Sequence, residues 1–275
     1  MQLTPSLIND VLLIAQQAGQ AILAIYAKPE LWSVQTKGDD SPLTAADQAA
    51  HTVIAKGLLS LSKPWSALPL LSEESSAAEL SQRLSWPACW MVDPLDGTKE
   101  FLARNDEFSV NIALIDSGHV VLGVILAPVT GVAYVAAKGL GSFRIDAQGR
   151  QPIQVANAQA PIKLLSSRRH GLQRLAAFEQ AASARWGDVS TQPKGSSLKL
   201  CAVAEGSAHA SPRFGPTSEW DTAAAQIILE EAGGYLVDSH GRPFRYNQRQ
   251  SLLNDDFVAV GQPLADWLAC WGDLN

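Results

Sequence analysis

Apolar residues recur at Ile8, Val11, Leu12, Ala15, Ala18, Ile22 and Ile25, a helical spacing that predicts an opening helix with one buried face. Thr4 supplies a capping hydroxyl, Pro5 suits the first helical position, and Lys28-Pro29 ends the run. A polar loop, 36–40, separates it from a second helical pattern. Ser41-Pro42 is expected to start that helix, which runs through Val53, Ile54 and Leu58 to about Leu61. The pattern then changes. Residues 68–71 and 89–92 are short, continuously apolar runs, read as buried strands. The first ends at Ser72-Glu73-Glu74 and the second at Asp93, so both deliver carboxylates at strand ends. Residues 108–115, 120–126 and 132–136 follow, parted by Asp116-Ser117-Gly118 and Pro128-Val129-Thr130-Gly131, which predicts an antiparallel meander.

The second half alternates types. Residues 162–165 and 258–260 read as strands, and 172–182, 196–204, 221–231 and 263–271 as helices, with Gly233-Gly234 stopping the third of these. The break near 152–161 divides the chain into an N-terminal α+β half, 1–155, and a C-terminal α/β half, 156–275, expected to form one compact unit. The order of elements predicts an α+β fold of layered helices and sheets.

Composition narrows the function classes. At 47% apolar and 17% charged, the chain has the balance of an ordinary folded protein. A net charge of −6 gives no footprint for nucleic acid, and an anionic substrate would need a metal or a local cation. Cys89, Cys201 and Cys270 are odd in number and lack CxxC spacing, so they are expected as buried thiols in a reducing compartment. No signal peptide and no uncharged span of membrane length is read, which predicts a cytoplasmic protein, with a peripheral place at the inner face of the cell membrane left open.

The densest chemistry lies in Asp93-Pro94-Leu95-Asp96-Gly97-Thr98-Lys99-Glu100-Phe101. Proline stiffens a turn that follows the strand, glycine lets backbone approach a ligand, and Gly97-Thr98 can open a short helix. With Glu73 before it and Asp221 after Trp220, carboxylates stand at three element boundaries, a donor set suited to a hard cation such as Mg²⁺. His51, His119, His209 and His240 show no metal spacing.

These residues resemble the signatures of the inositol monophosphatase family. Asp93-Pro94-Leu95-Asp96-Gly97-Thr98 is similar to the first signature, and Trp220-Asp221-Thr222-Ala223-Ala224-Ala225 with Glu231-Ala232-Gly233-Gly234 to the second. Thr44-Ala45-Ala46-Asp47 and Ser72-Glu73-Glu74-Ser75 match upstream elements, and the likeness covers about 18–260. Lys99-Glu100-Phe101, Gly195-Ser196-Ser197-Leu198-Lys199 and Pro212-Arg213-Phe214-Gly215-Pro216-Thr217 resemble the bacterial 3′(2′),5′-bisphosphate nucleotidase branch.

The resemblance implies an αβαβα sandwich and Mg²⁺-dependent, Li⁺-sensitive conversion of 3′-phosphoadenosine 5′-phosphate to AMP and phosphate, clearing a by-product of sulfate assimilation. It implies two or three ions: one on Glu73, Asp93 and the Leu95 carbonyl, one on Asp93, Asp96 and Asp221, and a weaker third on Glu73 and water. Asp47 and Thr98 would activate water, with the carboxylate taking the hydroxyl proton. Gly97 and Thr98 would orient the reacting phosphate, beside Asp221. Ser196, Lys199, Arg213 and His170 are the candidates for the rest of the substrate, Ser196 and Lys199 sharing a helical face. His170 ends Ser167-Arg168-Arg169-His170, which only partly resembles the branch's Ser-Arg-Ser-His. An inositol monophosphatase or sugar-bisphosphate phosphatase of the same family is the alternative, because it shares the metal set. A nucleotide or metal sensor without turnover is the reading from another class, and the Asp47 and Thr98 pair argues against it. Oligomeric state is not readable from the sequence.

Overall fold

A computed structural model describes residues 3–32, 35–36, 42–168 and 171–272. Helix α1 spans Pro5–Tyr26, with Thr4 Oγ1 accepting from the Leu7 N–H at 3.2 Å. Strands β1 (Gln35–Thr36) and β2 (Pro42–Leu43) pair antiparallel, and α2 runs over Ala45–Leu59. The second helix thus starts later than Ser41-Pro42. Thr44 caps it, because Thr44 and Asp47 form a capping box that satisfies backbone donors at both positions.

Strands β3 (Leu70–Ser72), β4 (Ala88–Asp96), β5 (Ser109–Asp116), β6 (His119–Ala127), β7 (Val132–Ala137), β8 (Gly141–Asp146) and β9 (Gly149–Pro152) form a seven-stranded sheet in chain order. Only β3 and β4 run parallel; the rest is the expected meander, continued by two polar strands. Short helices α3 (Ala77–Leu80) and α4 (Thr98–Leu102) flank β4. The second sheet holds β10 (Ile162–Ser166), β11 (Val189–Pro193), β12 (Ala210–Arg213), β13 (Tyr235–Asp238) and β14 (Phe257–Val260), ordered β11-β10-β12-β14-β13. Helices α5 (Leu172–Trp186), α6 (Leu198–Ala204), α7 (Glu219–Glu231) and α8 (Leu264–Gly272) complete the chain.

The layers follow from which faces are apolar. Helices α1 and α2 cover one face of the first sheet, through Ile8, Val11, Ile54, Val110 and Val124. Helices α6 and α7 lie between the two sheets, and α5 and α8 close the far side of the second around Phe178, Trp267 and Trp271. This is the αβαβα sandwich. Helix α1 is long and apolar enough to cross a bilayer by length and composition alone. Its Val11, Ala15, Ala18 and Ile22 are instead buried in the sandwich. All three cysteines are buried, and none is in a disulfide.

Candidate active site and metal centre

Strand geometry explains how the carboxylates meet. Along β4, Cys89 and Met91 face the layer of α6 and α7, while Trp90 and Val92 face α1 and α2. Alternation therefore turns Asp93 toward α7. Leu71 on β3 faces the same layer and pairs with Met91, so Glu73, two residues on, arrives beside Asp93. The Glu73 N–H donates to the Val92 carbonyl at 3.1 Å, and its carboxyl shares a hydrogen bond with Asp93. Glu74 points elsewhere, taking a bond from Gln48 Nε2 at 3.0 Å.

Asp96 poses a parity problem, since a spacing of three on a regular strand would put it on the opposite face from Asp93. Strand β4 was expected to end at Asp93; it continues to Asp96 through a bulge. Asp93 pairs with Asn111 but Asp96 pairs with Ser109, so three steps on β4 oppose two on β5. The extra residue returns Asp96 to the face of Asp93. Asn111 Nδ2 and Ser109 Oγ then donate to Asp96 Oδ2 at 3.2 and 3.4 Å. Ser197 donates to the same oxygen from its N–H, at 2.5 Å, and its Oγ lies equally close.

Asp221 is the third residue of α7, where its Oδ2 accepts from the Ser218 N–H at 2.9 Å. Carboxylate oxygens of Asp93, Asp96 and Asp221 lie within 4.8 Å of one another. Burial and the charges of Glu73, Asp96 and Asp221 hold the Asp93 carboxyl well above the usual range. Asp221 is pushed up to about 8 by burial and by Asp96. Acids packed this closely repel one another unless a cation neutralises them, and every donor is oxygen. The set fits a hard divalent cation.

Asp47 occupies the same capping position in α2. Its Oδ2 accepts from the Thr44 N–H at 2.7 Å and from Thr44 Oγ1 at 2.6 Å. Its Oδ1 accepts from Thr98 Oγ1 at 3.3 Å, and that hydroxyl is also 3.4 Å from the Leu95 carbonyl. Burial pushes Asp47 up to about 6, against the opposing pull of the Thr44 bonds. Gly97, at φ 96°, turns the chain from β4 into α4, as the expected short helix requires.

A cavity of about 660 Å³ opens over this cluster, lined among others by Glu73, Asp96, Thr98, Lys199, Arg213 and Asp221. Lys199 Nζ donates to the Ser196 carbonyl at 2.7 Å, and burial lowers its pKa to about 8. Arg213, on β12, donates from Nη2 to the Pro216 carbonyl at 3.0 Å, while its buried Nε has no protein partner. Ser196 lines the cavity but does not share a helical face with Lys199. It stands before the cap of α6, at φ 47°. His170 lies outside the described residues.

Three contributors escaped the sequence reading. Ser197, Asn111 and Ser109 all bind Asp96. Asn111 and Ser109 had a readable signal, being polar residues inside an apolar strand that is buried from Ser109 to Ile115. Ser197 had none that separated it from Ser196.

With this geometry in hand, similarity to known proteins assigns the class. The family model for the inositol monophosphatase family matches residues 5–266, and the chain belongs to that family. Among its relatives, the 3′(2′),5′-bisphosphate nucleotidase CysQ of Escherichia coli (strain K12) is 45% identical over 251 residues, covering 91% of this chain and 98% of that protein. The CysQ nucleotidase of Haemophilus influenzae is 35% identical, covering 97% of each. The crystal structure of CysQ from Bacteroides thetaiotaomicron superposes with a TM-score of 0.80 at 36% identity, covering 94% of this chain and 98% of that one.

Proposed function

We propose that this chain is a Mg²⁺-dependent 3′(2′),5′-bisphosphate nucleotidase that converts 3′-phosphoadenosine 5′-phosphate to AMP and phosphate. The observation that carries this beyond the family is one cavity lined both by acids of the cluster and by cations, of which we assign Lys199 and Arg213 to the second phosphate. A monophosphate needs only the metal site. A second phosphate needs its own neutralising groups in a protein of net charge −6. The 45% identical relative of that name supports the same substrate. Cytoplasmic location follows from this reading, since such a by-product arises there.

Glu73, Asp93 and the Leu95 carbonyl are the proposed ligands of one Mg²⁺, and Asp93, Asp96 and Asp221 of a second, with Glu73 contributing to a weaker third. Bound there, the ions supply Lewis acidity and charge neutralisation at the phosphoryl oxygens. The protein does the rest. Gly97 and Thr98 hold the phosphate in line, and positioning makes up much of phosphoryl-transfer catalysis. Thr98 accepts a proton from the attacking water as it passes its own to Asp47. Asp221 comes from the half spanning 156–275 and completes the cluster built by 1–155, which is why we read the two as one unit.

Phosphate release measured over 3′-phosphoadenosine 5′-phosphate, inositol 1-phosphate and fructose 1,6-bisphosphate should give the highest kcat/KM for the nucleotide. Preference for either other substrate would move the assignment within the family. Lys199→Ala and Arg213→Ala should each raise KM for the bisphosphate by roughly 10- to 150-fold, as expected for charge-assisted bonds of about 1.5–3 kcal/mol. Inositol 1-phosphate hydrolysis should barely change; equal losses on both substrates would reassign these residues to the fold or the metals.

Lys199 also sets a pH dependence. Its ammonium is buried among Asp96, Arg213, Glu100 and Asp221, and its pKa is lowered to about 8. The charged form is present below that value and lost above it. KM for the bisphosphate should therefore rise above pH 8 in the wild type, and Lys199→Arg should flatten the rise. A pH-independent KM up to pH 9 would remove Lys199 from the phosphate site.

A further inference from the structure

Glu107 takes no part in the chemistry above, yet it is tied to both sides of the cavity. Its Oε2 accepts from Arg168 Nη2 at 2.6 Å and from the Gly195 N–H at 2.7 Å. Arg168 follows β10, and its buried Nη1 lies 4.0 Å from Glu100 Oε1 on α4. One carboxylate thus joins the loop after α4, the end of β10 and the turn before α6.

The loop that carries Glu107 is a firm mount. Tyr26, Phe101 and Phe108 pack ring to ring with centroids 4.9–5.5 Å apart. Tyr26 Oη donates to Asp106 Oδ1 at 2.8 Å, and the Arg104 guanidinium lies 5.3 Å from the Tyr26 ring centroid. Asn105 Oδ1 accepts from the Glu107 N–H at 3.1 Å. Arg104 and Asp106 sit at φ 54° and 66°, a left-handed conformation that non-glycine residues keep only where their surroundings impose it.

The turn held by Glu107 leaves no slack either. A Cβ on Gly195 would come within 2.6 Å of Glu100 Cγ and of the Glu107 carbonyl oxygen. Two residues later, the Ser197 N–H binds Asp96 Oδ2 at 2.5 Å. Ser197 Oγ lies 2.5 Å from that oxygen and 2.7 Å from the Asp221 carbonyl, and its one proton serves either. The Ser196 carbonyl accepts from Lys199 Nζ. Where this turn sits therefore decides how Asp96 is aimed and where the Lys199 ammonium rests.

We propose that Glu107 and Arg168 are a positioning pair that fixes the 195–197 turn, and through it both metal affinity and the second-phosphate site. The metal part requires only that the acid cluster binds a cation. The second-phosphate part rests on the nucleotidase reading. Calorimetric titration of Mg²⁺ into the whole protein tests the first, and KM for 3′-phosphoadenosine 5′-phosphate tests the second.

Outer groups that orient metal ligands typically contribute 10- to 100-fold in affinity. Glu107→Ala should raise the Mg²⁺ Kd and the bisphosphate KM by about 10-fold or more, with kcat at saturation little changed. Glu107→Gln keeps an acceptor for the Gly195 N–H and should recover most of the Mg²⁺ affinity. Arg168→Ala, the milder variant should Glu107→Ala fail to fold, should shift both constants in the same direction by less. A lowered melting temperature with Kd and KM unchanged in Arg168→Ala or Glu107→Ala would make the pair a structural tie and overturn the proposal. So would a Gln variant as weak as Ala. A weakened Mg²⁺ Kd in an enzyme that prefers some other phosphate ester would keep the metal role and sink only the nucleotidase reading.

Discussion

Asp93→Asn is expected to abolish phosphate release while making the metal-free protein harder to melt. Asp93 is 1% exposed, and Glu73, Asp96 and Asp221 all raise its pKa. It is the proposed ligand shared by two ions, so a neutral amide weakens both. Loss of a single preorganised electrostatic contact costs ~10²–10³ in rate, and a shared ligand should sit at or beyond the upper figure, about 10³-fold or more. The fold does not need the charge. The amide oxygen can still accept from the Leu95 N–H, now at 3.0 Å from Asp93 Oδ1, and it no longer repels three neighbours. In chelator the melting temperature should rise, by about 2–4 °C for each kcal/mol of repulsion relieved. The Mg²⁺-induced rise expected of the wild type should vanish. Near-normal turnover at saturating Mg²⁺, or a less stable protein in chelator, would remove Asp93 from the centre of the cluster.

What the sequence showed of this site, and what it hid, divides along physical lines. Acid at the end of an apolar run is a local pattern, so Glu73 and Asp93 were visible. Their meeting was also inferable, because adjacent parallel strands end side by side. The bulge was not visible. Asp93-Pro94-Leu95-Asp96 reads as a turn leaving a strand, and only the pairing with Asn111 and Ser109 shows that the strand goes on. Ser197 was hidden for a similar reason. Its contact with Asp96 spans 101 positions and depends on Ser196 adopting a left-handed conformation, which no local rule assigns to serine there.

The elements follow the same division. Runs of buried apolar residues marked β5 to β7 and the body of β4, though not its continuation from Asp93 to Asp96. Strands β8, β9 and β11 are largely polar and partly exposed, so periodicity had little to report. Strand β12 is short and contains Pro212, an unpromising strand residue, yet it carries Arg213. The start of α2 turned on two competing local signals. Ser41-Pro42 resembles a helix start, but the Thr44 and Asp47 capping box satisfies more backbone donors and wins. That box also gives the Thr-x-x-Asp element a physical meaning, since the cap that starts the helix is what aims Asp47.

The aim of Asp47 makes its pairing with Thr98 testable. Thr44 holds one carboxylate oxygen with two bonds, leaving Oδ1 to face the Thr98 hydroxyl at 3.3 Å. In the proposed relay Asp47 accepts the threonine proton, and its pKa, pushed up to about 6 by burial, leaves the carboxylate form available at neutral pH. Thr98 can then accept from water, a task for which an unassisted hydroxyl is too weak a base. Asp47→Asn keeps the shape but puts a poor proton acceptor, or an N–H donor, against the hydroxyl. Thr98→Ala removes the relay itself. Each should lower kcat by roughly 10²–10⁴-fold, the usual contribution of general-base catalysis, while the Mg²⁺ Kd measured by calorimetry stays near wild type. The proposed relay makes the two residues one unit, so the double variant should be no slower than the slower single variant. Fully multiplicative losses would mean that the two act independently. A Mg²⁺ affinity that falls in step with kcat would assign Asp47 to the support of the metal cluster instead of to proton transfer.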